Sequence, residues 1–493
     1  MNASSKDVAN NLLEIIKELE DNQYLVNPFL RISKATPEQM QKYSVVNSKF
    51  PRVNVLIYLL ITMLITIIKV PIFILASILL SYQYRIYNTK FSKGKVLFIS
   101  HGIGENITKK YEDQFFAQMP EVIKSKNKEC VILYTNHNLI GYRTNSKLLA
   151  SKEGGIERHL IPKFLKPNEN AKYLSKVISL SSKTLYYGLR KLFSDPVKSI
   201  LLLKSSAYFY NRATYSNYLL AKRVQEFCSK SKVDTLVLTF EGHSYEQYLI
   251  ETVKKRQSYL SIVMYQHSPI VSDQFGVKQF LKTNNISLSI LTTGIFYKNM
   301  FSNISIIPRY IVIGSSKSNL NFIRKNTGLT SNVLFAPEGT SLATVSFLKL
   351  AKYLCLNTQN IMFYMRLHPN YRPSILVIYL IKNLSRKSNF LLSNKSLHED
   401  LKIANFVFYR GSAVAVESLK SRALPVFYGE IDGLGLNVLG NLSIKLPIAV
   451  SHKEALMSLQ TPNKNISKLD RAKIFNELFS KLDYKKLNKV MKI

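Results

Sequence analysis

The chain has 493 residues, enough for two large domains or three ordinary ones, and at 46% apolar and 11% aromatic it can bury cores, which excludes wholesale disorder. Glycine (18) and proline (16) are too scarce for a collagen-like or low-complexity chain, and three distant cysteines, Cys130, Cys228 and Cys355, exclude a disulfide framework and fit a reducing compartment. The 68 Lys and Arg against 31 Asp and Glu leave a net charge of +37, which draws the chain to polyanions: nucleic acid, an anionic bilayer or phosphorylated substrates.

Residues 1–52 hold one helical pattern, with Val8, Leu12, Ile15, Ile16 and Leu19 at helical spacing. Residues 53–85 form a hydrophobic segment. Between Val53 and Tyr82 the one charged side chain is Lys69, followed closely by Pro71. Cut there, each half is too short to span a bilayer, and basic residues flank both sides (Lys49, Arg52, Arg85, Lys90). The pattern predicts insertion into one leaflet with both ends cytoplasmic. A single tilted crossing and a pair of buried core helices are the alternatives.

From residue 89 onward, apolar runs alternate with helical patterns. Val96–Ile99, Cys130–Tyr134, Thr235–Thr239 and Ser261–Tyr265 form one series; Val333–Ala336, Ile361–Met365, Phe406–Tyr409 and Leu424–Tyr428 form another. Continuous apolar strands separated by helices belong to parallel sheets covered on both faces. The expected architecture is α/β, with two Rossmann-like doubly wound domains at 89–320 and 321–465 and a basic helix at 466–493. Residues 160–233 read as helical, with 14 basic and 3 acidic side chains. Such a stretch is a solvated face, or a surface that meets anionic lipid or an anionic acceptor.

In open parallel sheets the ligand crevice lies beyond the C-terminal strand ends. Four such ends carry polar residues. Glu241, before Gly242 and His243, projects a carboxylate whose pKa partial burial would raise toward general-base work. In Arg366-Leu367-His368-Pro369, proline stops the strand and places His368 and Arg366 on one side, an imidazole and a guanidinium suited to a phosphate leaving group. Arg410-Gly411-Ser412 runs straight into a helix, offering backbone N–H groups and a hydroxyl to an anion, with Glu417 one turn on in reach of a ribose hydroxyl. Gly339-Thr340-Ser341 makes a second loop of that kind. His101, Gly102 and His267 sit at further strand ends and read, with His243, as positioning residues of an acceptor cleft. No P-loop, GxGxxG, HExxH or paired Cys/His spacing occurs, and metal dependence and a resident cofactor are not expected.

The stretch 397–429 resembles the donor half of two-domain GT-B glycosyltransferases. More narrowly, Arg366-Leu367-His368-Pro369 with Ser412 resembles the histidine-proline and serine motifs of bacterial capsule polysialyltransferases and Kdo transferases, and CDP-glycerol polymerases share a similar histidine-proline pair. In the polysialyltransferases the base lies in two acids followed by glycine; Phe240-Glu241-Gly242 keeps the second acid only. The resemblance implies an inverting transferase with Glu241 as base, and with His368 and Ser412, helped by Arg366 or Arg410, holding the departing CMP phosphate. The donor would be a CMP-linked acidic sugar and the acceptor a lipid-linked or polysaccharide glycan at the cytoplasmic face of an anionic inner membrane, in capsule or O-antigen assembly. A CDP-alcohol phosphotransferase and a non-catalytic anion-binding scaffold are the alternatives. Nucleic acid is not an expected partner, since the aromatic-plus-basic platform of single-strand binders is absent.

Overall fold

The computed structural model describes residues 95–102, 113, 115–126, 128–136, 156–161, 165–271, 274–319, 331–368, 371–421, 423–429, 436–440, 442, 446–460 and 467–491, with positions 14, 15, 57, 60, 61, 64, 68, 72 and 75. The predicted N-terminal helix and membrane segment therefore lie almost wholly outside the described residues. Ile15 is helical and buried in the first core, whereas Ile57, Leu60, Ile61, Leu64, Ile68, Ile72 and Leu75 are helical and exposed. Among the described residues no helix is long and apolar enough to cross a membrane.

In the first domain, β1 (Val96–Gly102) precedes α1 (Met119–Lys124), β2 (Cys130–Asn136) and β3 (Glu157–Leu160). Three helices follow, α2 (Pro167–Arg190), α3 (Pro196–Tyr208) and α4 (Arg212–Ser231), before β4 (Thr235–Thr239). Then come α5 (Ser244–Lys254), β5 (Ser261–Tyr265), α6 (Phe275–Thr283), β6 (Ser289–Thr292), α7 (Ile295–Ser302) and β7 (Arg309–Val312). The seven strands are ordered β3-β2-β1-β4-β5-β6-β7, and every pair is parallel.

The second domain has β8 (Ser331–Ala336), α8 (Ser341–Asn357), β9 (Ile361–Met365), α9 (Ile375–Leu384), β10 (Phe390–Leu392), α10 (Leu397–Ile403) and β11 (Phe406–Tyr409). It continues with α11 (Val414–Ser418), β12 (Leu424–Tyr428), β13 (Ile448–Ala449) and α12 (His452–Gln460). Its sheet, β10-β9-β8-β11-β12-β13, is likewise parallel throughout. Both sheets thus reverse winding once, between β1 and β4 and between β8 and β11. Loops leaving two strands on opposite sides of that point splay apart, and the gap between them is where such sheets hold ligands.

All eight apolar runs form strands, because side chains buried on both faces leave no polar alternation: β4 is buried at every position. The basic stretch at 160–233 is mostly helical, and its Arg223, almost fully buried, ties α4 to α2 through Glu169 (3.0 Å) and pairs within its own helix with Glu226 (2.9 Å). Residues 467–491 form two helices, α13 (Lys468–Leu478) and α14 (Tyr484–Val490), rather than one. They return to the first domain: Ser480 donates to Thr293 O, and Lys481 bridges to Ser315. Gly294 and Gly314 (φ +87°) admit this segment, since a Cβ on either would lie about 2 Å from its backbone. Phe475 and Phe479 of the returning segment, with Val416 and Leu419 from around α11, join the first core, so the two domains share apolar packing.

Candidate functional site

At the first switch point the chain leaves β4 through Phe240-Glu241-Gly242-His243 and turns at once into α5. The turn is held from inside by the fully buried Glu246, which accepts backbone N–H groups of Glu241 (3.0 Å), Gly242 (2.9 Å) and His243 (3.2 Å). Burial pushes the Glu246 carboxyl up to about 8, against the pull of His243 and these donors. Gly242 has φ +76°, and a Cβ there would sit 2.2 Å from Val277 N, so the loop lies directly on the backbone of α6.

The loop presents Glu241 to a ring of donors. His243 Nε2 lies 2.8 Å from Oε2; Ser268 Oγ donates to Oε1 at 2.9 Å; His267 Nε2, from the end of β5, lies 3.2 Å from Oε1. Burial works to raise the Glu241 pKa, but the His243 hydrogen bond, the charges of both histidines and Ser268 outweigh it and hold the carboxyl well below the usual carboxylate range. This corrects the sequence expectation of a raised pKa: the partners, not the burial, set the direction. Burial likewise lowers the His267 imidazole, with Glu241 opposing and the Lys317 charge assisting.

His101, at the end of β1, joins the cluster from the other side of the switch point. Its Nδ1 meets Thr135 Oγ1 and its Nε2 meets Tyr245 Oη, each at 2.8 Å, and Tyr245 Oη also lies 3.1 Å from Thr239 Oγ1. The Phe115 ring stands edge-on to both His101 (5.3 Å) and His267 (4.8 Å). Gly102 closes β1 opposite Asn136. Glu241, His243 and His267 are thus in direct contact, and His101 is one ring away.

At the second switch point the organiser is Glu338, a buried acid between β8 and α8. Arg410 Nε lies 3.8 Å from Glu338 Oε1. Gly411, at φ +61°, leaves room for that carboxylate, since a Cβ would fall 2.2 Å from Oε2. The exposed His368 ring lies over Gly339, 3.1 Å from where a Cβ would be. Thr340 Oγ1 accepts from Ala343 N–H at 3.3 Å, Ser341 Oγ meets Tyr371 Oη at 3.1 Å, and Ser412 Oγ accepts from Val414 N–H at 3.4 Å. Gly339, His368, Arg410, Gly411 and Ser412 therefore gather around one loop pair. Pro369 lies outside the described residues.

Two predicted residues point elsewhere. Arg366 binds the buried Asp400 (3.0 Å) and the Lys395 carbonyl, so its guanidinium ties β9 to α10 instead of lying beside His368. Glu417 pairs with Lys317 (2.8 Å) from the short turn Ser316–Asn319 after β7. Sequence reasoning missed Lys317, whose charge reaches both Glu417 of the second domain and His267 of the first. It also missed Glu246, for which the Glu three residues into a helix was the available signal. Among the described residues no group of three or more His, Cys, Asp or Glu is placed to hold a metal ion.

No family model matches the chain, and no curated protein matches it significantly. Among solved structures it is similar to a glycosyltransferase from Rickettsia africae ESF-5, with 13% identity, 82% of this chain and 100% of that one covered, and TM-score 0.45. A second is the "glycotransferase of kitacinnamycin", with 9% identity, coverage of 81% and 99%, and TM-score 0.45. A third is UDP-GlcNAc 2-epimerase from Neisseria meningitidis bound to UDP-GlcNAc, with 11% identity, coverage of 80% and 99%, and TM-score 0.45. At these identities and TM-scores the likenesses carry no argument, and function rests on the geometry of the two switch points.

Proposed function

We propose that the protein is an inverting GT-B glycosyltransferase that moves an acidic sugar from a CMP-linked donor to a lipid-linked glycan at the inner face of the membrane. The observation that carries this reading is the Glu241 carboxylate, ionised and ringed by donors at one switch point, with Lys317, whose charge acts on the neighbouring His267, paired to Glu417 of the second domain.

A carboxylate offers about four lone-pair positions. His243, Ser268 and His267 take three at Glu241, and 26% of its side chain remains exposed, leaving one position for an acceptor hydroxyl. In the transfer, the acceptor oxygen attacks the anomeric carbon as the bond to the phosphate oxygen breaks, and the nucleotide leaves with that electron pair. The hydroxyl proton becomes acidic as the new C–O bond forms, and it passes to Glu241. The depressed pKa makes Glu241 a weak base toward a free hydroxyl, so the proton passes late, once C–O bond formation has made the hydroxyl strongly acidic. The His368 imidazole, the Ser412 hydroxyl and the start of α8 supply donors for the leaving phosphate, whose charge grows in the transition state. Arg410, held by Glu338, shapes the loop. No step requires a covalent intermediate, and closing the cleft aligns the partners.

A thermal-shift series with CMP, CDP, UDP and GDP tests the donor. CMP is expected to give the largest rise, since a ligand at a hundred times its Kd adds about 2.7 kcal/mol to the folded state. Preference for UDP overturns the CMP assignment. An acceptor that gains a phosphodiester instead of a sugar overturns glycosyl transfer.

A further inference from the structure

Helix α9 is built unlike the other crossover helices. Its ten residues, ILVIYLIKNL, include eight apolar side chains, yet only Val377 and Leu384 are buried. Ile375 is 88% exposed, Leu376 57%, Ile378 54% and Tyr379 60%. A helix covering a sheet ordinarily turns a polar face to water, whereas here the outward face is as apolar as the inward one. Around it stand exposed Arg372, Lys382, Arg386 and Lys387. The charge bias extends further: from Gly339 to His398 the sequence has eight Lys and Arg and no Asp or Glu.

We propose that the outward face of α9 seats the second domain on an anionic bilayer. An apolar strip with a basic collar lets the strip enter the boundary between headgroups and acyl chains while the cations stay among anionic headgroups. Tyr379, apolar with a polar tip, suits the same depth. A second copy of the chain meets the apolar requirement but not the electrostatic one. A two-fold contact through α9 sets the collar against itself, with no acid on the patch to offset it. The bilayer supplies both complements at once.

The position gives the contact a consequence. Four residues before α9, Tyr371 donates its N–H to the His368 carbonyl (2.9 Å) and meets Ser341 through its hydroxyl (3.1 Å). Seating α9 brings the His368 loop to the lipid surface, where a lipid-linked acceptor presents its glycan. The seating itself stands on the surface of α9 and does not depend on which sugar, if any, is transferred.

The test places its readout on the helix, so contacts made by residues 53–82 do not enter it. All three native cysteines are buried, so Ile378→Cys in the full chain accepts a single environment-sensitive fluorophore. With vesicles containing phosphatidylglycerol the emission should shift to the blue and be quenched by lipids brominated on their acyl chains; pure phosphatidylcholine should leave it unchanged. Lys382→Gln, Arg386→Gln and Lys387→Gln should each weaken vesicle partition of the label about fivefold. An aqueous emission maximum while the chain still sediments with anionic vesicles overturns the proposal and places the membrane contact elsewhere. A blue shift that grows with protein concentration in the absence of lipid overturns it in favour of self-association.

Discussion

The two switch points hold the same topological position and are built in opposite ways. In the first, each polar group is fixed by another: Glu246 holds the loop, the loop holds Glu241, and Glu241 is held in turn by His243, His267 and Ser268. In the second, one buried acid, Glu338, lies against Arg410 and Gly411, while His368 sits at the surface over Gly339 and Ser412 accepts from the Val414 N–H. Preorganisation of this kind belongs where a proton moves and where misplacement by an ångström is costly. Groups carried at the surface, as His368 is, stay open to an incoming ligand.

That contrast is broken most directly by activity. Glu241→Gln keeps the shape and removes the base, and should lower kcat about 10³-fold with little change in donor KM. His368→Ala should cost less, about 10²-fold. Nucleotide release with purified acceptor measures both. If the histidine variant is the more damaged, the chemistry sits at the second switch point and the roles assigned here are reversed.

Stability should show the same asymmetry. Gly242→Ala places a Cβ 2.2 Å from Val277 N at a positive φ, and neither backbone can yield. It should destabilise by about 3 kcal/mol or more in urea unfolding. Gly339→Ala first meets the His368 side chain, at 3.1 Å and without a positive φ, and should cost less, about 1 kcal/mol. Equal losses at the two sites would remove the distinction between a rigid loop and a yielding one.

The sequence displayed the scaffold better than the electrostatics. The eight strands it announced are the apolar ones; the five it did not are short or polar. β3 (ERHL) and β7 (RYIV) are edges of the first sheet, β10 and β13 are edges of the second, and β6 has four residues. The edges β3 and β7 carry polar residues that hide them from pattern reading, whereas β10 (FLL) and β13 (IA) are too short to form a readable run. Glu241 was visible as a strand-end acid, but the sign of its pKa shift was not, because it depends on how the His243 ring turns back onto the carboxylate and on His267 and Ser268, which reach it from another strand. Arg366 was placed beside His368 by strand alternation, and Asp400, 34 residues on, claims it instead. Lys317 gave no signal because its partners lie in two domains.

Acid should expose the first switch point further. His267 is held below the usual histidine value and Glu241 below the usual carboxylate value, so in both cases the unfolded chain takes up its proton first as pH falls. The His267 contribution is complete above about pH 6.5 and declines below it; that of Glu241 is complete above about pH 4.3 and is lost as pH drops through its folded value. Urea midpoints measured from pH 7 to 4 should fall in that order, and His267→Gln should flatten the upper part of the slope. Stability that holds level down to pH 5 would mean that His267 is not buried neutral.

The smallest effect probes whether the two regions communicate at all. Lys317, about one-third exposed, pairs with Glu417 at 2.8 Å, and Lys317→Gln should cost only about 0.5 kcal/mol of stability, as such pairs usually do. Its second consequence is the sharper one. The ammonium disfavours a proton on His267, so removing it should move the His267 titration to higher pH, a shift that histidine NMR resolves in the full chain. Glu417→Gln frees the lysine from its partner and should move the same titration to lower pH, because an ammonium no longer neutralised presses harder on the imidazole. Opposite shifts from two sides of one ion pair would show that a change at α11 is felt beside Glu241; identical titrations in both variants would leave the two switch points electrostatically independent.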